Sequence, residues 1–135
     1  YTVEIGKARK VQDGNDLTII TYGLGVHWAM EALDAHPEIS ANLVDLKTLL
    51  PLDTETIYEA VRQTGKVIVL HEDCMTGGIG GELVALINEN CFDSLDAPVK
   101  RVASLDTPVP FAVALEKQFL PAERFKQALI ELYEF

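Results

Sequence analysis

His71 and Glu72 stand side by side directly after the apolar run Val67-Ile68-Val69-Leu70, and Cys74 follows closely. An imidazole next to a carboxylate at a strand end could serve as a base with an orienting partner, because imidazole titrates near neutral pH. Such a base needs a nucleophile to activate. Cys74 is near in sequence, but nothing around it resembles a thiol-enzyme signature. The competing reading is a polar pair satisfied at a subunit contact. His27 falls at a helix start and His36 at a helix end, where it complements the dipole. Three dispersed histidines do not make a metal site.

Gly77, Gly78, Gly80 and Gly81 come next, four glycines in five positions. Glycine lacks the Cβ that keeps other residues from tight turns and close approaches. The run Gly78-Ile79-Gly80-Gly81-Glu82-Leu83 is not a dinucleotide fingerprint, because Leu83 stands where the third glycine belongs. It follows the fourth strand rather than the first, and no acidic ribose partner stands at a suitable strand end. No Gly-Lys-Ser/Thr occurs, and Glu82 would repel an anion at that helix start. The turn reads as a tight connection that lets another chain approach.

The elements that hold these residues alternate. Lys7 to Gln12 is a short edge strand, and Asp13-Gly14-Asn15-Asp16 is a turn. Leu17 to Tyr22 is a strand, broken by Gly23-Leu24-Gly25. Val26 to His36 has helical spacing, with Val26, Ala29, Met30 and Leu33 on one face. Ala41 to Leu46 is the next strand and Lys47 to Leu52 a loop. Asp53 caps a helix with Ile57, Ala60 and Val61 inward, ended by Gly65. Val67 to Leu70 is the fourth strand, apolar at every position as in a sheet covered on both faces. A helix follows with Leu83, Ile87 and either Asn90 or Cys91 inward, then a fifth strand over Val99 to Ala103. Pro108 and Pro110 hold an irregular segment. Pro121 opens a final helix with Phe125, Leu129, Leu132 and Tyr133 inward. This order predicts a three-layer α/β/α fold with a mostly parallel sheet. The loops after Tyr22, Leu46 and Leu70 then leave the same sheet edge.

A chain of 135 residues is one domain, residues 1–135, with 1–15 as lead-in and edge strand. The net charge of −10 argues against nucleic acid and anionic membranes as partners. No apolar run approaches the ~20 residues of a membrane span. The start, Tyr1-Thr2-Val3-Glu4-Ile5, has no signal-peptide pattern and suggests a fragment of a longer chain. Two cysteines fit no zinc pattern, and reduced cytoplasmic thiols are expected. Glu72, Asp73, Glu82, Glu89, Asp93 and Asp96 lie between Lys66 and Lys100 with no basic residue among them. That stretch is either a solvated acidic face or a docking surface for a basic partner.

Several blocks resemble the C-terminal domain of the transketolase-like thiamine enzymes. They are Asp16 to Gly23, Val44 to Asp53, Thr64-Gly65-Lys66, His71-Glu72 through Thr76-Gly77-Gly78, Phe92 to Val99, Asp106-Thr107-Pro108-Val109-Pro110 and Leu120-Pro121. Gly25-Val26-His27, His71-Glu72 and Thr76-Gly77-Gly78 are most similar to the beta subunit of branched-chain 2-oxoacid (2-oxoisovalerate) dehydrogenase. The pyruvate-type beta subunit and transketolase itself remain alternatives. So does a free-standing flavodoxin-like or nucleotide-binding module.

The resemblance implies a five-stranded mixed sheet whose first strand is antiparallel to the rest. It implies that thiamine diphosphate and Mg²⁺ lie between domains outside these residues. No catalytic, cofactor-binding or metal-binding residue is therefore assigned here, and the fragment alone is expected to be inactive. The whole enzyme would decarboxylate a 2-oxoacid and acylate a lipoyl group, in the bacterial cytoplasm or the mitochondrial matrix. The resemblance assigns this domain to assembly of a homodimer or alpha2-beta2 enzyme. It also assigns docking of the basic peripheral subunit-binding domain of the acyltransferase core to Asp96 and the aromatic C-terminus Phe135, with Asp93 beside them. The subunit-contact loops would be those of Tyr22, Gly23, His71, Glu72, Gly77 and Gly78.

Overall fold

A computed structural model describes all 135 residues. Its strands are β1 (Arg9–Gln12), β2 (Leu17–Thr21), β3 (Ala41–Asp45), β4 (Val67–Cys74) and β5 (Lys100–Ser104). Its helices are α1 (Leu24–Ala35), α2 (Thr54–Thr64), α3 (Ile79–Cys91), α4 (Val113–Phe119) and α5 (Ala122–Glu134), with a 3₁₀ turn over Phe92–Ser94. The sheet order is β1-β3-β2-β4-β5. β1 runs antiparallel to β3, and all other pairs are parallel. The expected α/β/α sandwich with a mixed five-stranded sheet is therefore what forms.

Both faces of the central strands are buried, which is why β2 and β3 are mostly apolar, with Thr18 and Asn42 hydrogen-bonded among the polar exceptions. One face packs Ile19, Leu43, Ile68 and Leu70 against α1 and α5 through Ala29, Leu33, Phe125 and Leu129. The other packs Ile20, Val44, Val67 and Val69 against α2 and α3 through Ile57, Val61, Leu83 and Ile87. Cys91, not Asn90, is the inward residue at the end of α3. Asp53 caps α2 by accepting from the Thr56 N–H at 3.2 Å, and it ties β1 down by accepting from the Ala8 N–H at 2.8 Å. Gly65 closes α2 in the left-handed region, φ 73°.

The structure departs from the sequence reading in four places. β4 does not stop at Leu70 but runs on through His71, Glu72 and Asp73 to Cys74. Leu70 pairs with Val102 and Cys74 with Ser104, so His71, Glu72 and Asp73 bulge against Ala103 alone. β2 does end ahead of Gly23, but α1 begins at Leu24 rather than Val26, and Gly25 within it lies on the Thr21 side chain, where any Cβ would collide. Met30 is 44% exposed and not part of the inward face, which Ala32 completes. The segment after Pro110 contains α4, whose one buried residue is Phe119. A helix with so little burial carries no amphipathic signal.

Candidate functional site

The strands β2, β3, β4 and β5 all end at one sheet edge, and the sequence-predicted loops meet there. The Leu46 N–H donates to the Thr21 carbonyl at 2.9 Å, and the Met75 N–H donates to the Ser104 carbonyl at 3.1 Å. Tyr22 is half-buried and Gly23, at φ 57°, is exposed, as are Glu72 and Gly77. Glu72 is a strand residue rather than a loop residue.

His71 sits differently from the expected contact loop. Alternation along β4 puts Val67, Val69 and His71 on the α3 face, so the imidazole extends the buried row and is 1% exposed. Its Nδ1 lies 3.0 Å from the Asp73 carbonyl, which can only accept, so Nδ1 carries the proton. Nε2 is left buried as an acceptor with no donor. A Cβ on Gly78 would lie 2.5 Å from ring Cε1, and one on Gly80 would lie 2.7 Å from Nε2. The glycines make room for this ring. Burial pushes the imidazole below its ordinary value; the Asp73 carbonyl and carboxylate pull the other way. A base with no approach to solvent and no nucleophile beside it cannot take a substrate proton. Its side chain cannot touch another subunit either.

The turn after β4 is clamped from the far side. Asp106 accepts from the Thr76 hydroxyl at 2.6 Å and the Thr76 N–H at 2.8 Å. These two bonds, hydroxyl first, hold its carboxyl below the usual range. The Ser104 hydroxyl donates to the Glu72 carbonyl. Asp106 and Ser104 were not singled out as bonding partners from sequence, because they act on residues about 30 positions away. Only the Asp106-Thr107-Pro108 run marked the place.

Asp93 and Asp96 lie elsewhere, after α3. Both are exposed, neither forms an ion pair, and both line an open groove of about 720 Å³ with Phe92, Leu95 and Pro98. The Asp96 N–H donates to the Gly65 carbonyl at 2.8 Å, which fixes the turn against the end of α2. A side chain on Gly65 would collide with the Asp96 carboxylate. Phe92 and Phe135 are 69% and 70% exposed. Cys74 and Cys91 are free thiols, and no His, Cys, Asp or Glu trio could hold a metal ion. No helix is long and apolar enough to cross a membrane.

Known proteins share this arrangement. The family model for the transketolase C-terminal domain matches residues 6–124. The 2-oxoisovalerate dehydrogenase subunit beta of Bacillus subtilis is 45% identical over all of this chain and 42% of its own length. The pyruvate dehydrogenase E1 component subunit beta of the same organism is 47% identical over 90% of this chain and 38% of its own. A split-gene transketolase, solved as an inactive beta4 tetramer, superposes with a TM-score of 0.82 at 28% identity. That superposition covers 99% of this chain and 43% of that one. The chain thus spans under half the length of the relatives it matches.

Proposed function

Since this chain belongs to the transketolase C-terminal domain family, we propose that it is the assembly and partner-docking domain of a branched-chain-type 2-oxoacid dehydrogenase beta subunit. The high identity to beta subunits supports the enzyme class. Overall identity to the two types is nearly equal, so the branched-chain reading rests on the resemblance carried by His71-Glu72 and Thr76-Gly77-Gly78. The whole enzyme would act on 2-oxoisovalerate-like acids with an alpha partner.

Thiamine diphosphate and Mg²⁺ would be held outside these residues. No three His, Cys, Asp or Glu side chains here stand close enough to share a metal ion. The glycine turn is filled by the His71 ring, which also disfavours a nucleotide or flavin at that place. No catalytic step is assigned to this chain.

The observation that carries the docking role is the unpaired Asp93 and Asp96 pair on an apolar groove. A basic domain such as the peripheral subunit-binding domain of the acyltransferase core would place its cations there, with Phe135 as a further contact. Such docking is fast and weakened by salt. The test is calorimetric titration of the assembled enzyme with that domain. Asp96→Lys is expected to weaken binding at least tenfold, about 1.4 kcal/mol. Unchanged affinity at low salt would remove Asp96 from the interface.

A further inference from the structure

The His71 ring carries a polar atom that the fold leaves unmet. Nε2 is buried against the glycines that open α3, and no N–H or O–H reaches it. As a neutral acceptor it forfeits one hydrogen bond. A proton on it would create a buried cation whose N–H has no acceptor, a far larger cost. The charges around the ring add to that cost. Arg101 of β5 is paired with Val69, on the same face as His71, and its Nη1 lies 3.8 Å from where a Gly81 Cβ would stand. The start of α3 presents the positive end of the helix dipole. Asp73 on β4 pulls the other way, but it is exposed, as are Glu72 beside it and Glu82 on α3, and burial outweighs its pull.

The segment around this ring can part from the sheet. After Leu70 the register with β5 is broken until Cys74, a bulge. Beyond it, the tail of β4 and the turn are tied down by the Ser104 hydroxyl on the Glu72 carbonyl, the Met75 N–H on the Ser104 carbonyl, and Asp106 on Thr76. Gly77, at φ 78°, supplies a hinge between tail and helix. The same tail carries Glu72 and Asp73, which with Tyr22, Leu24 and Glu116 line an open groove of about 510 Å³ at the sheet edge.

We propose that His71 is a pH switch for this edge: its protonation drives the ring out of the glycine seat and opens the β4 tail and the first turn of α3, while the rest of the sheet stays folded. Neutral imidazole keeps the edge closed. In the open form the ring meets water and titrates near its ordinary 6.5; in the closed form it takes the proton only at lower pH. Opening is therefore favoured as pH falls below 6.5, by about tenfold per pH unit until the closed-state value is reached. The core survives because Val67 and Val69, deeper in β4, pack on Leu83 and Ile87, beyond the glycines of α3. Openings confined to one such unit are a normal part of a protein's native ensemble. The switch goes beyond the assembly reading and stands whichever chain meets that edge.

The test is hydrogen exchange on the full chain, read by NMR from about pH 7 to about pH 5, with each rate divided by its intrinsic value. The Met75 and Gly81 amides, which donate to the Ser104 and Gly78 carbonyls, are expected to lose protection about tenfold per pH unit below 6.5. At every pH their protection should lie below that of the Ile19 and Ile20 amides. Low urea should leave it unchanged while lowering that of β2, since a local opening exposes little surface. His71→Gln should make the Met75 and Gly81 protection independent of pH. Arg101→Gln removes the neighbouring cation, so the onset should stay and the total loss should shrink. Arg101 is exposed, so this variant decides the matter even where His71→Gln opens the turn at every pH. Protection at Met75 and Gly81 that ignores pH in the parent, or that shares the level and urea dependence of β2, would overturn the proposal. So would an undiminished pH dependence in His71→Gln, or a loss in Arg101→Gln as large as the parent's. Failure of the Asp96 calorimetry would leave it standing.

Discussion

Replacing Gly80 by Ala tests whether the glycine turn exists to seat the His71 ring. Both Gly80 and Gly81 lie in the first turn of α3, so Ala gains helix propensity at either, about 1 kcal/mol. Their surroundings differ. A Cβ on Gly81 meets nothing nearer than Arg101 Nη1 at 3.8 Å, an ordinary contact with a flexible end. A Cβ on Gly80 would sit 2.7 Å from Nε2 and 3.0 Å from Cδ2 of a ring held between β4 and α3. Overpacking a buried site of this kind costs roughly 1–3 kcal/mol. Set against the helix gain, Gly80→Ala should lose about 1 kcal/mol net, while Gly81→Ala should gain about 1 kcal/mol. Urea unfolding followed by circular dichroism reads both. In a His71→Ala background the penalty at Gly80 should vanish, giving a coupling of about 2 kcal/mol. Equal stability of Gly80→Ala and Gly81→Ala in the parent would refute the reasoning.

The buried imidazole also makes stability depend on pH. Its folded pKa lies below the ordinary 6.5, so the unfolded chain takes up the proton first. The contribution is therefore complete above pH 6.5 and is lost as pH falls through the depressed folded value, with a limiting slope of about 1.4 kcal/mol per pH unit. Urea midpoints across this range should show the slope in the parent and a smaller one in His71→Gln. Asp53→Ala removes an N-cap, about 1 kcal/mol, and leaves the Ala8 N–H unpaired, for a combined loss of about 2–3 kcal/mol by the same unfolding assay. In Asp106→Ala the Thr76 amide loses its acceptor, and its hydrogen exchange should quicken while amides in β2 keep their protection. In the parent, the protection of this amide relative to its intrinsic exchange rate should fall as pH drops through the lowered value of Asp106.

Most of the fold was legible because its elements carry their own signals. The β-branched runs at Leu17–Thr21 and Val67–Leu70, the Asp53 cap and the Gly65 stop act within a few residues of themselves. The misreadings arise where a residue's neighbours are not those its own run suggests. β4 outlasts its apolar run because Ser104 of β5 accepts from the Met75 N–H and donates to the Glu72 carbonyl. α1 was read as starting at Val26 because Gly25 carries no helical signal of its own; its place is set by the close approach of Thr21. α4 gave no signal since its apolar residues Val113 and Leu115 face outward. The exposed acids were visible as a run without lysine or arginine. Their division between two grooves was not, because it depends on which sheet edge each residue reaches.

That division follows from how His71 is placed. Alternation along β4 carries His71 onto the α3 face against Gly78 and Gly80, while Glu72 and Asp73, in the bulge that follows, line the groove at the sheet edge. In a dinucleotide site, one glycine lets helix and strand pack closely while others admit a phosphate. Here Gly78 and Gly80 both serve the close approach, against an imidazole instead of a ligand. The turn then has no space left for an anion, and Glu82 opposes one at the helix start. Chemistry that needs a buried, reachable base has no place in such a site. The charges still free to meet a partner are those turned outward: Glu72, Asp73 and Glu116 on one groove, Asp93 and Asp96 on the other. Under the proposed assembly role, these unpaired acids beside apolar surface are the groups offered to other chains.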